Sequence, residues 1–137
     1  MSIPSDIKVR KQTRCLELTY KKTDGLKRNS EENDEEVFQL SFEMLRVFSP
    51  SAEVRGHGIG NEVFQHGKKD VCLLNIEPSG NYALKLIFDD GHDSGLYDWK
   101  YLRHLCDNKD ELWADYLKKL EAAGMTRESN VIQFKSL

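Results

Sequence analysis

Val71-Cys72-Leu73-Leu74-Asn75-Ile76-Glu77-Pro78-Ser79-Gly80-Asn81-Tyr82-Ala83-Leu84-Lys85-Leu86-Ile87-Phe88 reads as two alternating apolar segments joined by a turn. In the first segment Cys72, Leu74 and Ile76 fall on one face. In the second, Tyr82, Leu84, Leu86 and Phe88 do the same, which is the period of two that a half-buried strand shows. Pro78-Ser79-Gly80-Asn81 supplies the turn residues between them, so the pair is expected to form a hairpin and the sheet to be mostly antiparallel.

Working back towards the N-terminus, residues 14–20 place Leu16, Leu18 and Tyr20 on one face and Cys15, Glu17 and Thr19 on the other, a second strand signature. Residues 21–36 have almost no apolar content and carry the acidic run Glu31-Glu32-Asn33-Asp34-Glu35-Glu36. They cannot feed a core and are expected to be a mobile, solvated insert between two paired strands. Residues 37–40 resume apolar character as a short strand. Ser41 can then cap a brief helix that turns Phe42, Leu45 and Phe48 inward, and Pro50 ends it. From 49 to 69 the chain holds Gly56, Gly58, Gly60 and Gly67 with His57 and His66, too many glycines for regular structure.

Working forward, Phe88-Asp89-Asp90-Gly91-His92-Asp93-Ser94-Gly95 packs acids, a histidine and glycines against the end of an apolar strand. Asp98 can cap a helix from Trp99, with Trp99, Leu102 and Cys106 on one face, and Asn108 with Glu111 marks a second helix start. Leu112, Tyr116, Leu117 and Leu120 form an apolar stripe that stops at Gly124. The expected architecture is therefore α+β: a small, mostly antiparallel sheet against two C-terminal helices and a short inner helix. A single domain over residues 1–137 is expected, with a loose tail after 126 in which Val131, Ile132 and Phe134 can add an edge strand.

Composition narrows the function. A net charge of −3 with dispersed Lys and Arg argues against a nucleic-acid backbone as partner. No apolar run approaches the roughly 18 residues of a membrane span, and no apolar signal centre follows Met1, so a cytoplasmic protein is expected. Cys15, Cys72 and Cys106 are too far apart for a metal knuckle and are expected to be reduced; Cys15 is expected to be the exposed thiol.

The turn after Phe88 is the first candidate site. His92, with Asp90 and Asp93, offers an imidazole and carboxylates to a divalent cation, and His57, between two glycines, can fold across to join them. The plainer reading is a tight turn, since Asp and Gly are common turn formers and neighbouring side chains point different ways. Gly56-His57-Gly58-Ile59-Gly60 is not a phosphate loop: no strand precedes it and no Lys-Ser or Lys-Thr follows. His104 is expected on a helix surface.

Three blocks carry a resemblance: Leu45-Arg46-Val47-Phe48-Ser49-Pro50-Ser51-Ala52-Glu53-Val54-Arg55-Gly56-His57-Gly58, Ile76-Glu77-Pro78-Ser79-Gly80-Asn81-Tyr82-Ala83-Leu84 and Phe88-Asp89-Asp90-Gly91-His92-Asp93-Ser94-Gly95. Together they resemble a small bacterial family of unknown function that is similar to the N-terminal domain of gamma-butyrobetaine hydroxylase. That domain holds a structural zinc through three cysteines and a histidine. Here Ser49, Ser51 and Val54 stand where the resemblance puts thiolates, and only His92 matches, so the Cys3His zinc is expected to be absent. The oxygenase chemistry does not carry over either, because its barrel and its metal triad have no place in this chain. Related domains also occur attached to ATPases that carry iron-sulfur clusters.

The expected function is a non-catalytic binding or accessory domain whose partner is another protein, linked to metal or iron-sulfur handling. His92, His57, Asp90 and Asp93 form its metal-facing set. A small metal-dependent enzyme and a purely structural interaction module are the alternatives.

Overall fold

The computed structural model describes residues 3–21, 35–51 and 64–128. Two three-stranded antiparallel sheets, one short helix and one long helix make an α+β fold. The first sheet runs β1 (Asp6–Arg10), β2 (Cys15–Lys21), β3 (Glu35–Ser41), and α1 (Phe42–Val47) follows it directly. The second sheet runs β4 (Leu73–Ser79), β5 (Ala83–Phe88), β6 (Leu96–Asp98), and α2 (Trp99–Ala123) follows that. Each half is thus a meander that ends in a helix.

The expected single sheet is therefore two. Sequence alternation marks strands but carries nothing about which strands share a ladder. Arg14 joins the two halves: it sits in the left-handed region at φ 56° and sends its guanidinium to the Val71 carbonyl at the entrance to β4.

On β2 the expected inner face holds, with Leu16 and Leu18 fully buried and Tyr20 nearly so. Cys15 is a correction: it is buried, because its ladder partner is Ser41, where the chain turns into α1, and Thr13 closes over it with Oγ1 3.3 Å from Sγ. The hairpin is present, with Gly80 at φ 58°. Its inner face on β4 is not the expected one. A register irregularity between Leu73 and Asn75 turns Leu73 fully inward and leaves Leu74 49% exposed, while Ile76 again packs on the core. Tyr82 lies in the turn before β5 and is exposed.

The caps are as expected. Ser41 Oγ accepts from the Met44 amide at 3.0 Å, Asp98 from the Tyr101 amide at 2.7 Å, and Gly124 closes α2 at φ 68°. The two expected C-terminal helices run on end to end as α2, with a kink at Asn108 (φ −120°, ψ 17°), the residue where the second was expected to start. The cause is local: Asn108 Nδ2 donates to the His104 carbonyl at 2.9 Å, taking the acceptor that its own backbone amide would use in a straight helix.

The packing changes along α2, although Leu112 and Trp113 beyond the bend still pack on the main core. Leu102, Leu105 and Cys106 before the bend join the main core with Leu16, Leu18, Leu40, Phe42, Leu45 and the β4–β5 side chains. Tyr116 and Leu120 after it pack with Val47 in a second cluster that Phe48, Phe64 and Trp113 complete. Leu117, expected in the stripe, is instead exposed.

No helix among the described residues is long and apolar enough to cross a membrane. Of the expected insert at 21–36, residues 22–34 lie outside the described residues, and its ends form part of β2 and β3. Of the segment expected to be loose after 126, Arg127 is anchored on Glu43, and 129–137, including the suggested edge strand, lie outside the described residues.

Candidate functional site

At the end of β5 the chain turns through Gly91 at φ 90°, and the Phe88 amide donates to the His92 carbonyl at 3.0 Å. Asp89 prolongs the ladder, exchanging bonds with Cys72 through its own amide (2.9 Å) and through Oδ1 (3.0 Å). Asp90 is the pivot of the turn. Its Oδ1 accepts from the His92 amide at 3.1 Å, and its Oδ2 accepts from Arg46 Nε on α1 and from Lys68 Nζ, each at 2.8 Å. Burial pushes this carboxyl up, but Lys68, the His92 amide and Arg46 outweigh it and hold the group down at about 2. Asp90 is thus a carboxylate shared between two cations.

The same turn aims the His92 ring inward, where it is 7% exposed and lies beside Phe88. Its Nε2 is 2.8 Å from Ser49 Oγ and 3.4 Å from Ser51 Oγ, and Ser49 Oγ also accepts from the Ser51 amide at 3.3 Å. Both serines are buried just past the end of α1. The chain approaches closely here: a Cβ added at Gly95 would sit 2.5 Å from Ser49 Oγ. Tyr97 and Tyr101 complete the wall, their hydroxyls donating to the carbonyls of Leu45 and Phe48 and so satisfying acceptors that a helix end leaves open.

The expected ligands are therefore distributed as follows. His92 and Asp90 share one turn, but the imidazole faces the serines and the carboxylate faces Arg46 and Lys68. Asp93 is exposed next to them, and His57 lies outside the described residues. Among the described residues no group of three or more His, Cys, Asp and Glu side chains is placed to hold a metal ion. Ser49 and Ser51 do converge on His92, as zinc ligands at those positions would. Neutral hydroxyls already hydrogen-bonded to the imidazole do not fit a structural zinc, which needs thiolate or free imidazole donors.

Reading the sequence misses Arg46, Lys68 and Gln65. Arg46 Nη1 donates to Gln65 Oε1 at 3.0 Å, so α1 binds the 64–71 loop and the Asp90 turn through one side chain. The one available signal is Arg46 itself, a charged residue between Leu45 and Val47 in the mostly apolar helix α1. A separate open cleft of about 430 Å³ lies between Pro50, Leu96, Asp98, Lys100, Tyr101 and His104, and none of the four expected ligands lines it. His104 is exposed as expected, stacked on Tyr101.

The family model described as gamma-butyrobetaine hydroxylase-like, N-terminal, matches residues 7–103. The chain belongs to this family. Two proteins solved by NMR in solution are similar over the whole chain, one at 47% identity and TM-score 0.74 with 98% of its length covered, the other at 42% and 0.71 with 93% covered. A crystal structure of a protein of unknown function from Acidithiobacillus ferrooxidans, assigned to the DUF971 family, is 30% identical with TM-score 0.54, over 74% of this chain and 90% of that one. No curated protein matches the chain.

Proposed function

We propose that this chain is a non-catalytic accessory domain that binds another protein, and that the strand end carrying Asp90, His92 and Asp93 belongs to the contact surface. One observation carries the reading: among the described residues, the His92 imidazole and the Asp90 carboxylate are each already engaged by other side chains of the chain. Ser49 and Ser51 hold the imidazole, and Arg46 and Lys68 hold the carboxylate. A catalytic base or metal-bound water needs a position left free for substrate, and a fold-level likeness supplies none. An iron-sulfur protein as the partner is the finer form of the same reading, and it rests on the family resemblance alone.

Metal binding through His92, His57, Asp90 and Asp93 is a second reading, favoured by the single turn that carries an imidazole and two carboxylates within four residues. It has a defined cost, since the ion must take Asp90 from two cations and His92 from Ser49. Calorimetric titration of the tag-free chain with zinc and with iron(II), beside His92→Ala, separates the two. The accessory reading expects no stoichiometric uptake by either protein. One equivalent taken up by the parent and lost in the variant would overturn it in favour of the metal set.

A further inference from the structure

Beyond the end of α2 the chain doubles back. The Gly67 amide donates to the Thr126 carbonyl and the Lys69 amide to the Arg127 carbonyl, each at 2.9 Å, and Lys69 Nζ lies 3.3 Å from Glu128. Arg127 makes a forked bond to Glu43 on α1, with Nη2 to Oε1 at 2.7 Å and Nε to Oε2 at 2.9 Å, and its guanidinium lies over the Trp113 ring. Glu43 is almost wholly buried, whereas the Arg127 side chain is 41% exposed. This ion pair joins a buried carboxylate to a cation that solvent can reach.

The loop that residues 126–128 grip is the one that seals the Asp90 turn. Lys68 lies between Gly67 and Lys69, the two gripped amides, and its ammonium holds Asp90 Oδ2. Gln65 meets Arg46, the other cation on that carboxylate, and its carbonyl accepts from the Tyr116 hydroxyl at 2.8 Å. The path therefore runs from Arg127 through the loop to Asp90, and from Asp90 to the His92 amide. The grip of 126–128 on the loop and the grip of Lys68 on Asp90 join parts of the chain far apart in sequence, whereas Asp90 reaches the His92 amide within its own turn.

We infer that residues 126–128 act as a releasable clasp: seated, they keep the 64–71 loop closed on Asp90; released, they free Lys68 and open the turn that carries Asp90 and His92. The inference uses the partner-binding reading above only to say what the opened turn is for. Local opening of this kind requires a region tied down by a few polar contacts and not by core packing. Residues 126–128 meet this: two backbone hydrogen bonds, the exposed Lys69–Glu128 pair and the fork from Arg127 to the buried Glu43 hold them, with the guanidinium over Trp113.

Amide hydrogen exchange of the full chain, followed residue by residue by NMR, tests the clasp. In Arg127→Gln the Gly67 and Lys69 amides are expected to exchange about tenfold faster or more, and the His92 amide, which Arg127 does not touch, is expected to follow them while Leu18 in β2 keeps its protection. Glu43→Gln, which removes the same ion pair from the α1 side, is expected to give the same pattern. Acceleration confined to Gly67 and Lys69 overturns the coupling to Asp90. A uniform rise that includes Leu18 in both variants overturns local release, because the segment is then part of the global fold. The metal titrations above test the accessory reading on a separate readout, so the coupled pattern keeps the clasp even where stoichiometric metal uptake overturns that reading.

Discussion

The Nε2 of His92 lies 2.8 Å from the hydroxyl oxygen of Ser49, a residue 43 positions earlier in the chain. That contact fastens the turn after β5 to the end of α1, and both partners are buried there, Ser49 2% and His92 7% exposed. Removing one partner from a buried pair leaves the other desolvated and unpaid, at about 1–3 kcal/mol. His92→Ala is therefore expected to lose stability in that range by urea denaturation, and Ser49→Ala less, since Ser51 still reaches the ring at 3.4 Å. Equal stability of His92→Ala and the parent would contradict this account of the knot.

Gly95 is required for space. Its added Cβ would meet Ser49 Oγ at 2.5 Å and Tyr97 Cε1 at 3.2 Å, and Ser49 cannot turn away without leaving His92. Gly95→Ala is expected to destabilise by about 1–3 kcal/mol, as overpacking does. Adding Ser49→Ala removes the nearest clashing atom, so the double variant is expected to be more stable than the sum of the two single losses. Strict additivity in the denaturation cycle would mean that the two positions do not press on each other.

Asp90 sets a pH dependence whose direction follows from its partners. Its carboxyl is held down at about 2 in the folded chain against an ordinary value of 3.8, so the ionised form favours folding. That contribution is complete above the ordinary value and is lost as pH falls from about 4 towards 2. The stability gap between the parent and Asp90→Asn is expected to be widest near neutrality and to close across that window. A gap that does not change with pH would show that the Arg46 and Lys68 pairings contribute nothing to folding.

The serines beside His92 make a donor set that is right in place and wrong in chemistry. Ser49→Cys combined with Ser51→Cys puts two thiols next to the imidazole, and thiolates are the zinc donors that hydroxyls are not. The double variant is expected to bind zinc measurably by elemental analysis, more tightly as pH rises and the thiols ionise, while the parent retains none. A folded double variant that holds no zinc would show that the two positions and His92 do not converge closely enough.

What could be read from the sequence was local. Ser41 and Asp98 cap helices, Gly124 ends one, and Gly80 turns the hairpin, because each acts within a few residues of itself. Strand β1 was missed since Ile7 and Val9 are its only apolar residues and both are half-buried, too short a pattern to stand out. The face of β4 was misassigned because one irregular residue reverses every alternation before it, and alternation carries no mark of where a bulge falls. At the candidate site the turn itself was visible, as were the positions of Ser49, Ser51 and His92 through the family resemblance. That Arg46 and Lys68 close on Asp90 was not, since those contacts span 44 and 22 residues and no spacing rule reaches that far.

The bend at Asn108 lets one helix serve two clusters, its first part packing on the sheets and its second reaching both the main core, through Leu112 and Trp113, and Val47 with the loop around Phe64. Tyr116 and Leu120 lie in the smaller of the two clusters and Tyr97 in the main core, so on gentle heating the Tyr116 ring signals are expected to broaden before those of Tyr97. The domain would then offer a partner a rigid platform with one yielding corner.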